Sequence, residues 1–270
     1  MTTKTPKKKL KILIVTNMYP TSEMPDYGIF VQEQVESLRR EGVNIDVSYI
    51  QGKKNKLNYL WAGFQLWARL LTHRYDLIHA HYVFSGIIAR FQFLYPLVLT
   101  HHGHEAFSTW QRFPSRIITH FVDKVILVSN EQKEKLRCEK AEIIPCGVDF
   151  NLFKPMPRNE ARKKLNIAGS DKKLVLVLWA GDLSRPEKRF DIISSADPLI
   201  ELVPVSGKPH SMIPLYMNAC DVLLLVSDAE GSPQVIKEAM ACGLPIVSAP
   251  VGDVAKVIGG TDGCYLCTHD

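Results

Sequence analysis

The chain has 270 residues, of which 46% are hydrophobic and 23% are charged, as in a globular protein of one large domain or two ordinary ones. No apolar run approaches the roughly 20 residues of a membrane-spanning helix, and no secretory signal is visible, so we expect a cytoplasmic protein. The net charge of +5 equals the five lysines within residues 1–11, which argues against a dedicated nucleic-acid binder with a basic face.

The lysine-rich N-terminus has two interpretations. It is either a solvated arm or a segment attracted to an anionic membrane surface. The six cysteines are scattered, and only Cys264 and Cys267 form a C-x-x-C pair. Because no second pair follows at zinc spacing, we expect reduced thiols and no metal site.

The first half of the chain predicts a doubly wound α/β domain. LKILIVT is a short buried strand, and a loop with Gly28 leads into IFVQEQVESLRREG, whose apolar residues recur at helical spacing. Further short apolar runs predict strands: NIDVSYI, DLIHAH, LVLTHH, KVILVS and EIIP. Their continuous apolar character indicates strands covered on both faces, and therefore a parallel sheet.

One predicted helix, LNYLWAGFQLWARLLTHR at 57–74, has an unusual apolar stripe. Leu60, Phe64, Trp67 and Leu71 lie on one side of it, and lysines and arginines lie nearby. Either this is a helix that packs on the sheet of its own domain, or it docks at an anionic membrane together with the lysine-rich N-terminus. Membrane docking would suit a lipid-linked acceptor.

The second half predicts another α/β domain. Residues 149–172 indicate a polar linker with a small helix, after which strands and helices alternate again. The predicted strands are KLVLVLWAG, LIELVPV, DVLLLV, PIVSA and CYLC, and the predicted helices are MIPLYMNA, PQVIKEAMACG and DVAKVIGG. We therefore expect domains at 1–155 and 156–270, the second of them short.

Two acids flank a turn in this second domain. Glu230 and Glu238 lie on either side of Gly-Ser-Pro, directly after the buried run DVLLLV. Ser232 is a good N-cap and Pro233 suits the first helical position. The free N–H groups and the dipole of such a helix attract phosphate, while carboxylates accept hydrogen bonds from sugar hydroxyls. Two glutamates at this spacing are also common on ordinary helices. The interpretation as a site for phosphate and sugar hydroxyls therefore depends on the turn between them.

The segment E-G-S-P-x4-E-A-M-A-x-G-L-P-I-V resembles the signature of retaining GT-B glycosyltransferases of family 4. Other segments are similar to the family in the same order along the chain: YPTSEMPDYGIFVQEQVESL, LIHAHYVFSG, LTHHGHEAF, DKVILVSN and IIPCGVDFNLFKP. The resemblance implies two Rossmann-like domains whose parallel sheets face each other across a cleft. The N-terminal domain would take the acceptor and the C-terminal domain the nucleotide-diphosphate sugar.

The resemblance also implies residue roles. Glu238 would bind the ribose, and Glu230 would contact the hydroxyls of the donor sugar. Lys188 would neutralise the departing diphosphate. The backbone of the turn would hold the sugar and diphosphate through Gly231, Ser232, Pro233 and Gln234.

In the first domain, the resemblance implies that Gly28 lets the backbone approach the donor closely and that His102 lies near the donor sugar. A lone histidine in such a loop is otherwise a structural hydrogen-bonding residue. Asp182 stands where the family usually has arginine, so we expect Arg185 to take over its contact with phosphate. The chain ends at CYLCTHD, before the closing helices that are typical of the family.

We therefore expect a retaining, metal-independent glycosyltransferase that uses a UDP-, GDP- or ADP-sugar and no resident cofactor. The expected acceptor is a glycan or a lipid-linked molecule, with an anionic membrane surface as a further partner and no nucleic acid. The alternative is a catalytically degenerate nucleotide-sugar-binding or partner module. A nucleotide-sugar epimerase fits the acidic motif less well, and an oxidoreductase is disfavoured because the first strand is not followed by G-x-G-x-x-G.

Overall fold

The computed structural model describes residues 9–25, 27–167, 173–178, 186–194, 200–205 and 207–268. The chain forms two compact units. The first is built on Met1–Thr21, Tyr27–Val128 and Gln132–Ile144, and the second on Ser22–Asp26, Ser129–Glu131 and Pro145–Asp270. Among the described residues, no helix combines the length and apolar character that a membrane span requires.

The first unit contains a parallel sheet of six strands in the order β2-β1-β3-β4-β5-β6. The strands are β1 Lys11–Thr16, β2 Asn44–Tyr49, β3 Leu77–His81, β4 Leu97–His101, β5 Lys124–Leu127 and β6 Glu142–Ile143. All six arise from the apolar runs recognised in the sequence, and the parallel arrangement is confirmed.

Helices cover both faces of this sheet. They are α1 Ile29–Arg40, α2 Asn58–Thr72, α3 Val83–Arg90, α4 His104–Phe107, α5 Thr109–Thr119 and α6 Asn130–Leu136. Successive residues of β1 point to opposite faces, so Ile12 and Ile14 pack against α1. Leu13 and Val15 join the larger core, to which α2, α3 and α5 contribute.

The second unit contains a parallel sheet of five strands in the order β11-β10-β9-β7-β8. Its strands are β7 Lys173–Leu178, β8 Ile200–Val205, β9 Val222–Leu225, β10 Ile246–Ser248 and β11 Cys264–Leu266. Its helices are α7 Arg158–Lys164, α8 Phe190–Ser194, α9 Ile213–Ala219, α10 Gln234–Cys242 and α11 Val254–Ile258, with 3₁₀ turns at Pro186–Lys188 and His210–Met212. Two parallel sheets, each packed against helices, are the architecture that the sequence predicts.

The segment before α7 belongs to the second core. Phe153 is 1% exposed and packs with Met217, Leu223 and Ile236. Asn218 accepts a hydrogen bond from the backbone N–H of Met156 (2.7 Å). The second compact unit thus takes up the chain from Pro145 onward, whereas the sequence places the domain division after residue 155.

Candidate functional site

Helix α10 begins at Gln234, directly after the strand β9 and its following loop. Pro233 is the N-cap, and no side chain caps the helix. The prediction that Ser232 caps this helix is therefore wrong. Its hydroxyl instead bonds to two side chains. It donates a hydrogen bond to Asp253 Oδ2 (2.6 Å) and accepts one from Lys237 Nζ.

Lys188 and Glu230 form an ion pair at this turn. Lys188 Nζ lies 2.6 Å from Glu230 Oε1, and the two side chains are only 13% and 19% exposed. A backbone hydrogen bond from Asp228 N to Glu187 O (2.8 Å) ties the 3₁₀ turn of Lys188 to the loop of Glu230. The two residues were assigned separate roles from the sequence, and the fold places their charges in contact.

A second cation, Lys237, lies one turn into α10. Its ammonium contacts the Ser232 hydroxyl, lies 3.9 Å from Asp253 Oδ2 and donates to the carbonyl of Cys146 (3.3 Å). Gln234 donates to the neighbouring carbonyl of Gly147. The fold thus joins the segment IIPCGVD to the acidic motif, a connection that sequence spacing alone does not reveal.

Glu238 faces the interior side of α10. It is 6% exposed, and its Oε1 lies 3.3 Å from His210 Nε2. The His210 ring in turn packs against Phe153, with ring centroids 5.3 Å apart. Sequence reasoning missed His210, Lys237 and Asp253, because each lies outside the motif pattern or at one of its variable positions.

The turn before α10 is held closely by a second loop. Gly252 has a φ of +58°, and a Cβ there would collide with the carbonyl oxygens of Gly231 and Glu230. Gly231 and Pro233 are buried. Two contacts therefore hold the Gly-Ser-Pro turn in place. The backbone of Gly252 packs against the carbonyl groups of Glu230 and Gly231, and Asp253 accepts a hydrogen bond from the Ser232 hydroxyl.

In the first unit, His102 follows strand β4 and contacts His81 at the end of strand β3. His81 Nδ1 and His102 Nε2 are 2.9 Å apart. The other nitrogen of His81, Nε2, is buried with no hydrogen-bond partner among the described residues. Since a buried N–H without an acceptor is rarer than an unsatisfied acceptor, we place the His81 proton on Nδ1, donated to His102. A neutral His102 then holds its own proton on Nδ1.

His79, His81 and His102 at this sheet edge are neutral at physiological pH. Burial lowers the pKa of His102 to about 4; the charge of Glu105 opposes this shift and that of His101 adds to it. Burial and the charge of His102 lower the pKa of His79 to about 4. Burial likewise lowers the pKa of His81 well below 6.5. His102 can therefore donate a hydrogen bond, but it carries no charge at pH 7.

Glu105, two residues after Gly103, lies in a buried pair with His101. Its Oε1 is 3.3 Å from His101 Nδ1, and its Oε2 accepts from the N–H of Gly103 (3.2 Å). Burial alone raises the pKa of Glu105, but the hydrogen bond and charge of His101 outweigh it, so the net shift is downward. This pair holds the loop that carries His102.

Gly28 begins helix α1 with a left-handed backbone, at φ 75°. A Cβ at this position would collide with the backbone of Met18 and Tyr19. The local packing of the first loop thus already requires glycine, independently of any ligand.

Arg185, the expected phosphate contact, lies outside the described residues, as does Asp182 at the position of the family arginine. The adjacent Arg189 contacts Asp191 and Asp228 (3.0 and 3.3 Å). Within the described part of the chain, no three His, Cys, Asp or Glu side chains form a metal-binding group, and Cys264 and Cys267 are free thiols.

Comparison with known families matches both halves of the chain. Residues 9–152 match the family described as Glycosyltransferase Family 4, and residues 160–270 match Glycosyl transferases group 1. The chain belongs to glycosyltransferase family 4. This confirms the resemblance seen in the motifs and identifies the protein as a glycosyltransferase of GT-B fold.

Individual relatives are distant. The chain is 23% identical to the teichuronic acid biosynthesis glycosyltransferase TuaC of Bacillus subtilis, over 93% of this chain and 83% of that one. It is 26% identical to the D-inositol 3-phosphate glycosyltransferase of Mycobacterium marinum over 73% of this chain, and it spans about half (53%) of that protein. Among solved structures, it is similar to HepE of Anabaena in complex with UDP and glucose, with a TM-score of 0.69, 19% identity, and coverage of 97% and 86%.

Proposed function

We propose that the protein transfers a sugar, with retention of configuration, from a nucleotide-diphosphate sugar to a glycan or lipid-linked acceptor. The observation that carries this proposal is the start of α10, where Lys188 and Glu230 meet in a half-buried pair beside an N-terminus without a side-chain cap. Opposite charges and free N–H groups at one turn suit a ligand with a diphosphate and adjoining hydroxyls.

The diphosphate is assigned to the backbone of the turn 231–234 and to Lys188. The first N–H groups of α10 and its dipole favour an anion, and Lys188 supplies a cation as negative charge develops on the leaving group. Arg185 is proposed as a further phosphate contact from the sequence resemblance. With these groups in place, we assign no role to a metal or a resident cofactor.

The two glutamates are assigned to hydroxyls on either side of the diphosphate. Glu238 accepts from the ribose, and His210 holds its carboxylate in place at 3.3 Å. Glu230 accepts from the donor sugar once the ligand competes for Lys188. HepE, which binds UDP and glucose, has a similar fold, so UDP is the first nucleotide to test, ahead of GDP and ADP.

From the first unit, we assign His102 a hydrogen bond to a sugar hydroxyl and Gly28 a close backbone approach to the donor, both on the family resemblance. Because burial lowers the pKa of His102 to about 4, His102 acts as a neutral donor. The family resemblance also supports transfer on one face of the sugar, with the leaving phosphate accepting the proton of the acceptor hydroxyl.

We place the protein in the cytoplasm, at the inner face of an anionic membrane. The observation that favours a membrane is the apolar stripe of α2, whose Leu60, Phe64 and Leu71 are 66%, 72% and 80% exposed. A lipid-linked acceptor would be reached there. The competing function, a degenerate binding module, is favoured by Asp182 at the position of the family arginine.

Thermal unfolding with UDP, GDP and ADP tests the donor site. One nucleotide should stabilise the protein, by about 2.7 kcal/mol at 100 times its Kd. Glu238→Gln keeps a hydrogen-bonding group toward His210 but loses the carboxylate, so it should weaken that stabilisation. The matched control is the exposed Glu139→Gln, which should leave it unchanged. If none of the three nucleotides shifts the unfolding temperature, the donor site as proposed is wrong.

A further inference from the structure

The first unit exposes most of the large apolar side chains on the described surface. Thirteen of the nineteen exposed large hydrophobic residues lie between Gln51 and Val122. They occupy helix α2, the turn after α3 and helix α5, the elements that cover one face of the first sheet. We call this surface the α2–α5 face. Apolar patches of this extent normally mark an interaction site.

On α2, the apolar stripe faces away from the core. Ala62, Leu66 and Leu70 bury the helix against the sheet, and Trp61 and Phe64 on the opposite side are 62% and 72% exposed. The helix therefore packs on its own sheet, but through Ala62, Leu66 and Leu70 and not through the predicted stripe. The helix is apolar on both sides, with the inner side in the core and the outer side largely exposed.

Helix α5 and the turn after α3 repeat this pattern. Trp110 and Phe113 on α5 are 63% and 70% exposed, and Phe93 in the turn is 75% exposed. Rings connect the helices, since Phe84 lies between Tyr59 and Trp110 with centroid distances of 5.8 and 5.6 Å. The exposed side chains thus extend across three neighbouring helices.

The charges on this part of the chain are almost all positive. Residues 51–122 contain eight lysines and arginines and only two acids, Asp76 and Glu105. Glu105 is fully buried against His101, and Asp76 is partly buried and accepts from the backbone N–H of Lys11. Lys53, Lys54 and Lys56 are exposed just before α2. Within residues 51–122, therefore, no acid is exposed, and the near-zero net charge outside the N-terminal tail conceals a basic, aromatic segment.

We propose that the α2–α5 face docks onto an anionic lipid bilayer. Tryptophan and phenylalanine side chains insert at the interface between headgroups and acyl chains, while the flanking lysines and arginines are attracted to anionic lipid. A second copy of this chain fits poorly, because a two-fold interface brings a patch against itself, and here that would oppose cations with cations. The proposal extends the membrane location given above. Docking itself does not depend on the proposed sugar transfer, which only explains what docking would serve.

The test is sedimentation of the full chain with vesicles of phosphatidylcholine alone or with phosphatidylglycerol. We expect binding to the anionic vesicles, weakened at high salt, and at least tenfold weaker binding to the neutral ones. Three of the four tryptophans, Trp61, Trp67 and Trp110, lie on the α2–α5 face. Their fluorescence should shift to the blue on binding and be quenched by brominated lipid.

Two double variants examine the two helices separately: Trp61→Gln with Phe64→Gln on α2, and Trp110→Gln with Phe113→Gln on α5. Each should weaken anionic vesicle binding at least tenfold. The matched control is Phe150→Gln with Tyr265→Gln, which removes side chains that are 73% and 67% exposed in the second unit and should leave binding unchanged. Nucleotide-induced stabilisation should be the same in all three, so a failure of the donor site is distinguished from a failure of docking.

Three results would overturn the proposal. The first is no binding to anionic vesicles at low salt. The second is binding that survives both double variants but is lost when residues 1–8 are removed, which would assign it to the lysine tail. The third is a wild-type dimer in solution, detected by light scattering, that the variants dissociate, which would assign the face to a second copy.

Discussion

The pair of Lys188 and Glu230 makes a specific prediction about the binding of the nucleoside diphosphate. Because the carboxylate lies 2.6 Å from the ammonium, a bound diphosphate must compete with Glu230 for the same cation. Glu230→Gln removes this competitor, so UDP should bind several-fold more tightly while sugar transfer falls. Lys188→Gln should weaken UDP binding and also slow sugar transfer. Calorimetric titration with UDP measures the first effect, and unchanged affinity in Glu230→Gln would show that the pair does not take part in binding.

Buried histidines should make the first unit less stable in acid. The folded-state pKa of His79 is about 4, below its ordinary 6.5. Between these two pH values the unfolded chain binds a proton that the folded chain does not. The folded state therefore loses stability as the pH falls from 6.5 towards 4. One such group contributes a loss of about 2 kcal/mol between pH 7 and pH 5. His79→Gln, which retains a hydrogen-bonding group toward Thr100, should reduce the pH dependence by about that amount.

Urea unfolding at pH 7 and pH 5 measures this difference. The exposed His73→Gln serves as the control and should keep the wild-type pH dependence. An equal loss of stability in wild type and His79→Gln would mean that His79 is already protonated in the folded protein or is not buried.

At the scale of single elements, the start of α1 depends on Gly28. Gly28→Ala adds a Cβ that collides with the Met18 and Tyr19 backbone in a left-handed conformation. Gly42→Ala is the matched control, since Gly42 also has a positive φ but a Cβ there meets nothing within 4 Å. We expect about 1–2 kcal/mol of destabilisation at Gly42 from handedness alone, and clearly more at Gly28. Equal midpoints in urea would contradict the packing argument.

Element boundaries could be predicted because apolar runs and helix-ending glycines are local signals. Strand β1 and helix α10 lie within one or two residues of their predicted positions, and Gly243 ends α10 with a φ of 70° as expected. The wrong N-cap at Ser232 has a different origin. Its hydroxyl is taken by Asp253, 21 positions away, and local sequence gives no sign of this competition.

The same limit applies to the helix α2. Its pattern predicts a helix but not which of two apolar sides is buried, since both Leu66 and Phe64 fit an inward-facing stripe. The surrounding sheet decides this by burying Leu66 to 1% exposure and leaving Phe64 at 72%.

For the whole molecule, the boundary between the units depends on Phe153. This side chain is 1% exposed within the second core and lies between the partly buried Leu152 and the exposed Lys154. Phe153→Ala should destabilise the second unit by about 3–5 kcal/mol. Phe150→Ala, three residues earlier and 73% exposed, should change stability by no more than about 0.5 kcal/mol. Similar urea midpoints for the two variants would place the segment outside that core.

The family and the parallel architecture were predictable because several motifs occur in a fixed order over most of the chain. The partners of the site residues were not. His210 reaches Glu238 from 28 positions away and Lys188 reaches Glu230 from 42, and such pairings depend on how the strands are ordered in the sheet. The sequence shows the apolar stripe of α2 and the cations beside it, but not that this surface extends to α5, because the ring contacts that link α2, α3 and α5 form only in the fold.

Release of nucleoside diphosphate from sugar donors tests the central claim most directly. The wild-type protein, mixed with UDP-, GDP- or ADP-sugars, should release the nucleotide that stabilises it, with water or an added glycan as acceptor. Lys188→Gln should slow this release by about 100-fold or more without lowering the unfolding temperature of the ligand-free protein to a similar degree. A wild-type protein that binds a nucleotide but releases none from any of these donors would contradict the account and identify a binding module instead of an enzyme.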